Sequence, residues 1–294
     1  MITVFGSANM DLVAYVSQAP KLGETVTGRD FRTVPGGKGA NQAIAAARAG
    51  AEVTFLGAVG EDAFGTEMRH TLANAGVDVS LLRRVPGASG IAHIVVDDQG
   101  GNSIIVVPGA NGTVTGPTEA ERAVIAASQA LLLQLELPME AVTAAARAAR
   151  DAGVPVILTP APAQPLPDDL LDAATLLLPN EHEAAGITGA ATPAAALDLL
   201  LGRVGEAVIT LGSEGALYGS RSGERLTVPA VPVKAVDTTA AGDTFAGALA
   251  VARAEGRPAA DALRFAAAAA ALSVQREGAS TSMPVRAEIE AALG

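Results

Sequence analysis

Short apolar runs alternate with longer segments of helical spacing along most of this chain. The runs are apolar throughout rather than at every second residue, which predicts strands buried on both faces. Alternating strands and helices predict an α/β fold with a mostly parallel, layered sheet. The predicted strands are Thr3–Ser7, Val53–Val59, Ala130–Leu135, Val154–Leu158, Thr175–Leu178 and Ala207–Leu211. The predicted helices are Ala40–Ala49, Ala63–Ala75, Ala120–Ser128, Met139–Ala152 and Ala191–Leu200.

Two regions interrupt this alternation and predict hairpins. Leu12–Val34 is broken by Pro and Gly, and Gly90–Val107 has two β-rich runs around Asp97–Asn102. They could form a small sheet beside the main one. Because ligands of open α/β sheets bind beyond the carboxyl ends of the strands, such a sheet could cover a site as a lid.

Composition narrows the function classes. A chain of 294 residues that is 49% hydrophobic can form one large domain, although two remain possible. Its net charge of −11 argues against a nucleic-acid partner and an anionic membrane surface, but not against a small phosphate ligand. The absence of cysteine and the scattered three histidines argue against a zinc enzyme. Met1–Gly6 has no basic region followed by a long apolar stretch, so we expect a cytoplasmic protein.

The segment Asp237–Phe245 predicts a strand-to-helix turn, since Val231–Val236 is strand-like and Ala246–Ala254 helix-like. The free N–H groups and dipole of a helix N-terminus attract anions, phosphate above all. Asp243 would then lie where the anion arrives, which is useful if it accepts a proton during phosphoryl transfer to an alcohol. The alternative is a plain cap, with Asp237 or Thr238 as N-cap.

Polar motifs upstream suit a polyhydroxy ligand. Asn9 and Asp11 lie two apart on an extended segment and hence on one face, unless they form an Asx turn. Gly36–Asn41 predicts a glycine-rich helix start from which Lys38 could reach hydroxyls, or else a tight turn with a solvated lysine. Glu136 follows a predicted strand and lies at the ligand-binding edge, or is a surface acid.

Three further segments are weaker signals. Asn180 and Glu183 would share a helix face, where a carboxylate near phosphates usually holds Mg²⁺, although capping explains Asn180 equally well. Thr210–Gly215 is a plausible backbone cradle for nucleotide phosphates, and Gly278–Ser282 is a polar loop that offers carbonyls.

The order of these motifs closely resembles that of the ribokinase family of PfkB-type sugar kinases. The motifs are, in order, Asn-x-Asp, Gly-Gly-Lys-Gly-Ala-Asn, Asn-x-x-Glu, Thr-Leu-Gly-Ser-x-Gly and Asp-Thr-x-Ala-Ala-Gly-Asp-Thr-Phe. The resemblance runs nearly end to end. It implies one three-layer α/β/α domain over residues 1–294, with a discontinuous β lid from about 12–34 and 90–107 that also builds a homodimer. It implies ATP-dependent phosphorylation of D-ribose at O5.

The resemblance also implies roles for individual residues. Asp243 would be the base, and Gly242, Ala241 and Ala240 the anion hole. The sugar would contact Asn9, Asp11, Gly36, Gly37, Lys38, Asn41, Glu136 and Asp243. ATP would contact Asn180, Glu183, Thr210, Leu211, Gly212, Ser213, Glu214, Gly215, Gly242, Asp243 and Ala267. Glu183 would hold Mg²⁺ through water. K⁺ would be held at Asp237, Thr239, Ser273, Arg276, Gly278 and Ser282, in several cases by backbone carbonyls.

One departure concerns adenine, because the helix reads Arg264–Ala268 where these kinases can carry His or Asn. Other substrates from the same fold stay open: fructose, deoxyribose, 2-keto-3-deoxygluconate or a nucleoside. A sugar-binding regulator without catalysis is a further alternative, but Asp243 and Gly242 argue against it because binding alone needs no base.

Overall fold

The computed structural model describes residues 1–294 and contains fifteen strands and ten α-helices. The strands are β1 Ile2–Phe5, β2 Asn9–Tyr15, β3 Asp30–Gly36, β4 Val53–Leu56, β5 Ala58–Gly60, β6 Val77–Asp78, β7 Arg83–Val85, β8 Gly90–Val96, β9 Asn102–Val107, β10 Ala130–Leu133, β11 Val156–Leu158, β12 Leu176–Leu177, β13 Glu206–Thr210, β14 Ala216–Ser220 and β15 Arg225–Val228. The helices are α1 Lys38–Arg48, α2 Ala63–Asn74, α3 Glu119–Ala126, α4 Met139–Asp151, α5 Asp168–Ala173, α6 Glu181–Thr188, α7 Pro193–Leu201, α8 Ala241–Ala254, α9 Ala259–Ser273 and α10 Arg286–Leu293.

The main sheet has nine strands in the order β15-β14-β13-β12-β11-β10-β1-β4-β6. All neighbours from β13 to β6 are parallel, whereas β14 and β15 add an antiparallel edge that the sequence pattern does not predict. The α/β class with a mostly parallel sheet is therefore confirmed. Parallel strands also bring the polar residues that follow β1, β10 and β11 to one edge of the sheet.

Alternate residues of the central strands enter two separate hydrophobic cores, one on each face of the sheet. Leu132 packs with Ala-rich faces of α1, α8 and α9, while Leu131 and Leu133 pack with α4, α5 and α7. Small side chains let α1 and α8 approach closely: a Cβ on Gly247 would lie 2.6 Å from the Cβ of Ala45. The outcome is three layers, helices on both faces of the sheet, as the resemblance implies.

A second sheet has four strands in the order β3-β2-β8-β9. Its strands come from the two regions that interrupt the strand-helix alternation. The first residue of β2, Asn9, pairs with Gly36 at the end of β3 and with Gly90 at the start of β8, so the sheet begins beside the carboxyl end of β1.

The predicted strand Val231–Val236 does not form, and this expectation was wrong. The chain leaves β15 at Val228 and remains irregular until α8. Pro229 and Pro232 explain the difference, because each lacks the N–H that a strand within a sheet donates to its neighbour.

None of the helices alone has the length and apolar character needed to cross a membrane. The pair α6 and α7 meets that criterion only when both are taken together, and they are bent by 57° at their junction.

Candidate active site

The N-terminus of α8 is open to a ligand. Its N-cap is Ala240, and no side chain caps the helix. With a φ of 58°, Ala240 has a left-handed backbone conformation, which no other residue except glycine adopts in this chain. The alternative interpretation, a plain cap with Asp237 or Thr238 as N-cap, is therefore wrong. A Cβ on Gly242 would meet no atom within 4 Å, so the first turn faces free space. Unpaired N–H groups beside free space form a place where an anion can approach.

Asp243 is buried in this first turn, with 8% of its surface exposed. Its Oδ2 accepts a hydrogen bond from Asn41 Nδ2 at 3.3 Å, and its Oδ1 accepts one from Gln42 Nε2 at 3.1 Å. Burial raises the pKa of Asp243 to about 6, although Lys38 and the two amides oppose the rise. The carboxylate is therefore ionised at neutral pH but closer to accepting a proton than an exposed aspartate.

Glu136 joins the ends of β1 and β10 to the start of α1. Its Oε2 accepts hydrogen bonds from Ser7 Oγ at 2.5 Å, from the backbone N–H of Lys38 at 2.9 Å and from Asn9 Nδ2 at 3.5 Å. Ser7 is a member of this cluster that sequence reasoning missed. A serine after a strand carries no distinctive pattern, so nothing in the sequence singles it out.

Asp11 and Lys38 complete a cluster of charges around this point. Burial, followed by the nearby Glu136 and Asp243, raises the pKa of Asp11 to about 7. Burial lowers the pKa of Lys38, but the carboxylates of Asp243 and Glu136 outweigh it and hold that pKa above its usual value. A Cβ on Gly36 would lie 2.4 Å from Asp11 Oδ2, so a larger residue at position 36 would displace this carboxyl.

Asn111 fixes the strand that carries Asn9, and it too was missed. Asn111 Nδ2 donates to Asn9 Oδ1 at 2.8 Å and to the carbonyl of Ala8 at 3.0 Å, while its Oδ1 accepts from the N–H of Ala8 at 3.1 Å. Because Asn9 Oδ1 is occupied in this way, Asn9 presents its Nδ2 to Glu136.

A cavity of about 340 Å³ lies on the other side of the α8 N-terminus. Of the residues predicted to contact ATP, the cavity is lined by Thr210, Gly212, Ser213, Gly215, Gly242 and Ala267. The other residues predicted to contact ATP do not line it: Asn180, Glu183, Leu211, Glu214 and Asp243. Sequence reasoning missed the rest of the lining, which is Ala230, Val231, Pro232, Val233, Ala235, Thr238, Ala241, Phe245, Ala270, Ala271 and Val274.

Asn180 and Glu183 lie beside the strand end that opens this cavity. Asn180 is the N-cap of α6 and forms a capping box with Glu183, each side chain accepting from the other residue's backbone N–H at 2.8 Å. An isolated bridge joins Asn180 to Thr210. Burial raises the pKa of Glu183. The capping alternative is therefore correct for Asn180, and the capping box holds the Glu183 carboxylate against the backbone of Asn180, the residue that is bridged to Thr210.

The predicted cation residues meet where the loop before α8 contacts the segment after α9. Asp237 Oδ1 accepts from the backbone N–H and Oγ1 of Thr239, and its Oδ2 accepts from the N–H of Gly278 at 2.9 Å. Burial raises the pKa of Asp237, but these hydrogen bonds outweigh it and hold the pKa below its usual value. The guanidinium of Arg276 pairs instead with Glu288, so Arg276 could serve a cation only by its carbonyl.

Several backbone carbonyls in this region accept no hydrogen bond from the protein. They belong to Asp237, Thr239, Arg276, Gly278 and Ser282. The carbonyl of Ser273, by contrast, accepts from the N–H of Arg276 at 3.1 Å. No group of three or more His, Cys, Asp or Glu side chains could hold a metal ion. The donors here are thus mainly neutral oxygens, a set that suits hard cations rather than zinc.

The layered fold and a buried carboxylate between the polar side chains and an open cavity are typical of α/β small-molecule kinases. The chain matches the pfkB family of carbohydrate kinases over residues 1–286. It is 47% identical to the ribokinase of Bacillus subtilis (strain 168) over 295 residues, which is 99% of each chain. It is 44% identical to the ribokinase of Schizosaccharomyces pombe over 306 residues, covering 98% of this chain and 96% of that one. The structure of Arabidopsis thaliana ribokinase complexed with ribose and ATP superposes with a TM-score of 0.94 at 36% identity, covering 99% of this chain and 98% of that chain. This chain therefore belongs to the pfkB family of carbohydrate kinases.

Proposed function

We propose that this protein is an ATP-dependent ribokinase that transfers the γ-phosphoryl group of ATP to O5 of D-ribose. We call the side chains of Asn9, Asp11, Lys38 and Glu136 the polar cluster. The observation that carries the proposal is the position of Asp243, which is buried in the first turn of α8 between this polar cluster and the open cavity. Likeness to ribokinases along nearly the whole chain supports ribose among the possible sugars.

The polar cluster would bind the sugar. Asn9, Asp11, Lys38 and Glu136 offer both donors and acceptors, as hydroxyl groups require. Asn41 Oδ1 is buried and has no hydrogen-bond partner in the protein. A buried acceptor without a partner is costly. A sugar hydroxyl that donates to this oxygen would remove the cost, which gives the site a reason to bind a polyol.

Phosphoryl transfer follows from the position of the base. Asp243 would accept the proton of the O5 hydroxyl as O5 bonds to the γ-phosphorus and the bond to the β-phosphate oxygen breaks, leaving ADP. The N–H groups of Gly242 and Asp243, which donate to no acceptor in the protein, would stabilise charge on the transferred group, whereas the N–H of Ala241 donates to the carbonyl of Thr238 at 3.2 Å. In the cavity, Ala267 and its neighbours offer an apolar surface for adenine.

Two cations are part of the proposal. Mg²⁺ would neutralise the charge of the ATP phosphates, and Glu183, in the capping box with Asn180, would hold it through water, in keeping with a cation that takes few protein ligands. K⁺ would lie near Asp237, where the unbonded carbonyls fit a monovalent cation. Replacing K⁺ by tetramethylammonium should lower turnover; equal rates in both salts would contradict a K⁺ site.

We further propose that the four-stranded sheet is a lid over the sugar and the contact surface of a homodimer in the cytoplasm. β9 supports a dimer, because Ile104, Ile105, Val106 and Val107 are 47–66% exposed on it. Sedimentation equilibrium tests this, and a monomer at micromolar concentration would contradict it.

A panel of sugars with ATP, Mg²⁺ and K⁺ tests the function. We expect ribose to have the highest kcat/KM and ³¹P NMR to identify ribose 5-phosphate as product. Fructose, deoxyribose, 2-keto-3-deoxygluconate and a nucleoside complete the panel. A higher kcat/KM for any of them would replace ribose as substrate, and binding of ribose without phosphorylation would indicate a regulator.

A further inference from the structure

Gln42 is a buried polar residue of α1 that the proposed sugar site does not use. None of its surface is exposed. Its Nε2 donates to Asp243 Oδ1 at 3.1 Å and to Thr159 Oγ1 at 3.3 Å, and its Oε1 accepts from Gln134 Nε2 at 2.7 Å. The NH₂ group of Gln134 sets the orientation of the Gln42 amide. If the Gln42 amide were flipped, its Oε1 would face the carboxylate of Asp243, and its NH₂ group would face the NH₂ group of Gln134.

Gln134, which follows β10, has a buried side chain whose position costs stability. Its Oε1 is buried and has no hydrogen-bond partner, and a Cβ on Gly6 would lie 2.1 Å from that oxygen. A buried acceptor without a partner destabilises a fold, and such local costs concentrate at functional sites. The gain from Gln134 is the hydrogen bond that its Nε2 donates to Gln42.

Close helix packing brings Gln42 to Asp243. Gly247 lies one turn beyond Asp243 on α8, and a Cβ on it would be 2.7 Å from the carbonyl oxygen of Gln42. Any larger residue would push α1 away from α8. The short distance between the Gln42 amide and the carboxylate thus depends on a glycine at this crossing.

We propose that Gln42 is the positioning residue of the base: with Asn41 it holds both oxygens of Asp243, so that the remaining lone pairs face the sugar hydroxyl. Gln134 in turn sets the direction of the Gln42 amide. The inference rests on the proposed function, since it requires Asp243 to act as the base. Lys38, Glu136 and Asp11 are the charged groups around this carboxylate, and none of them contacts Gln42 through a hydrogen bond.

Gln42→Met tests the inference, because it keeps the length of the side chain and removes the donor. A hydrogen bond to a carboxylate favours its charged form, so its loss should raise the acid-limb pKa of kcat by about one unit or more. We expect kcat at pH 5, below the acid-limb pKa, to fall by about ten-fold, kcat at pH 8 to change by less than about two-fold, and the KM for ribose to change by less than about three-fold. An unchanged acid limb, or a rise in KM with unchanged kcat, would overturn the proposal.

Two comparisons exclude a general loss of packing. Gln134→Leu should shift the acid limb in the same direction but less, because Gln42 stays and only loses its orientation. Thr143→Val, which removes a buried hydroxyl bonded to the carbonyl of Met139 on α4, should leave the pH profile unchanged. If Gln42→Met does not fold, Gln42→Leu gives the test, since it also removes the donor and adds no charge beside Asp243.

A ¹³C NMR titration of the Asp243 carboxyl in the same variants needs no turnover. Its resonance is assigned by its loss in Asp243→Asn. We expect the midpoint in Gln42→Met to lie about one unit or more above that of the wild-type protein. If the wild-type protein phosphorylates no sugar, the proposed function fails while this titration still tests the link between Gln42 and Asp243. An unshifted midpoint would overturn that link.

Discussion

The two sides of the α8 N-terminus are built by opposite means. On the proposed sugar side, charged and amide side chains converge, and Glu136 alone accepts three hydrogen bonds. On the proposed nucleotide side, a cavity of about 340 Å³ is lined largely by Ala, Gly, Val and Pro. On this proposal, one side would recognise its ligand by side-chain hydrogen bonds, whereas the other would provide space, backbone groups and apolar surface. Asp243 lies at the boundary, so changes on either side should be separable in kinetics.

Asp243→Asn should have the largest effect, because it removes the group that both sides serve. We expect kcat to fall by about two to four orders of magnitude, the usual contribution of a general base, with ribose binding largely kept. Steady-state kinetics and isothermal titration with ribose measure the two quantities. Asp261→Asn, in the first turn of α9 and exposed, is the matched control. Turnover near wild type in Asp243→Asn would remove this residue from its role.

Glu136→Gln should affect the sugar side alone. Loss of the charge that accepts from Ser7, Asn9 and Lys38 weakens charge-assisted hydrogen bonds, and we expect the KM for ribose to rise by about 10- to 100-fold. The KM for ATP should change by less than about two-fold, because Glu136 does not line the cavity. Equal increases in both KM values would show that the two sides are not independent.

Ala267→Leu should affect the nucleotide side alone and less strongly. The larger side chain fills part of the cavity, so we expect the KM for ATP to rise by about ten-fold and the KM for ribose to stay the same. The free energy of unfolding should not fall, since the added atoms enter free space. Ala185→Leu, on the exposed face of α6, is the control for a larger side chain elsewhere. An unchanged KM for ATP would mean that adenine binds away from Ala267.

The same difference explains how much of the site the sequence could predict. Asp11, Lys38, Asn41 and Glu136 carry functional groups in recognisable motifs, and the structure brings them together around Asp243. The apolar lining of the cavity has no such signal: the segment Val231–Val236 reads as a strand until Pro229, just before it, and Pro232, within it, are considered. The parallel sheet followed from continuous apolar runs, whereas β14 and β15 add an antiparallel edge that this pattern does not reveal.

Sequence reasoning also missed the residues that orient other side chains. Gln42, Ser7 and Asn111 each act through a hydrogen bond between segments about 30 to 200 residues apart. Such contacts depend on the packing of α1 against α8 and on the register of β1 and β2. Neither local propensity nor hydrophobic period reports on them, so they become visible only in three dimensions.

Ala240, at the boundary between the two sides, has a strained backbone conformation. Releasing this strain should have the smallest of the predicted effects, and it should change the free energy of unfolding. The left-handed φ of 58° at Ala240 is unfavourable for alanine by about 1–2 kcal/mol. Glycine would remove this strain, but its more flexible unfolded chain loses more entropy on folding, which offsets part of the gain. We therefore expect Ala240→Gly to raise the free energy of unfolding by about 0.5 kcal/mol, measured by urea denaturation. Ala241→Gly, one residue later in the first turn of the helix, should lower it by about 0.5–1 kcal/mol. Opposite signs would locate the strain at one residue of the proposed anion hole, and a loss of stability in both variants would contradict it.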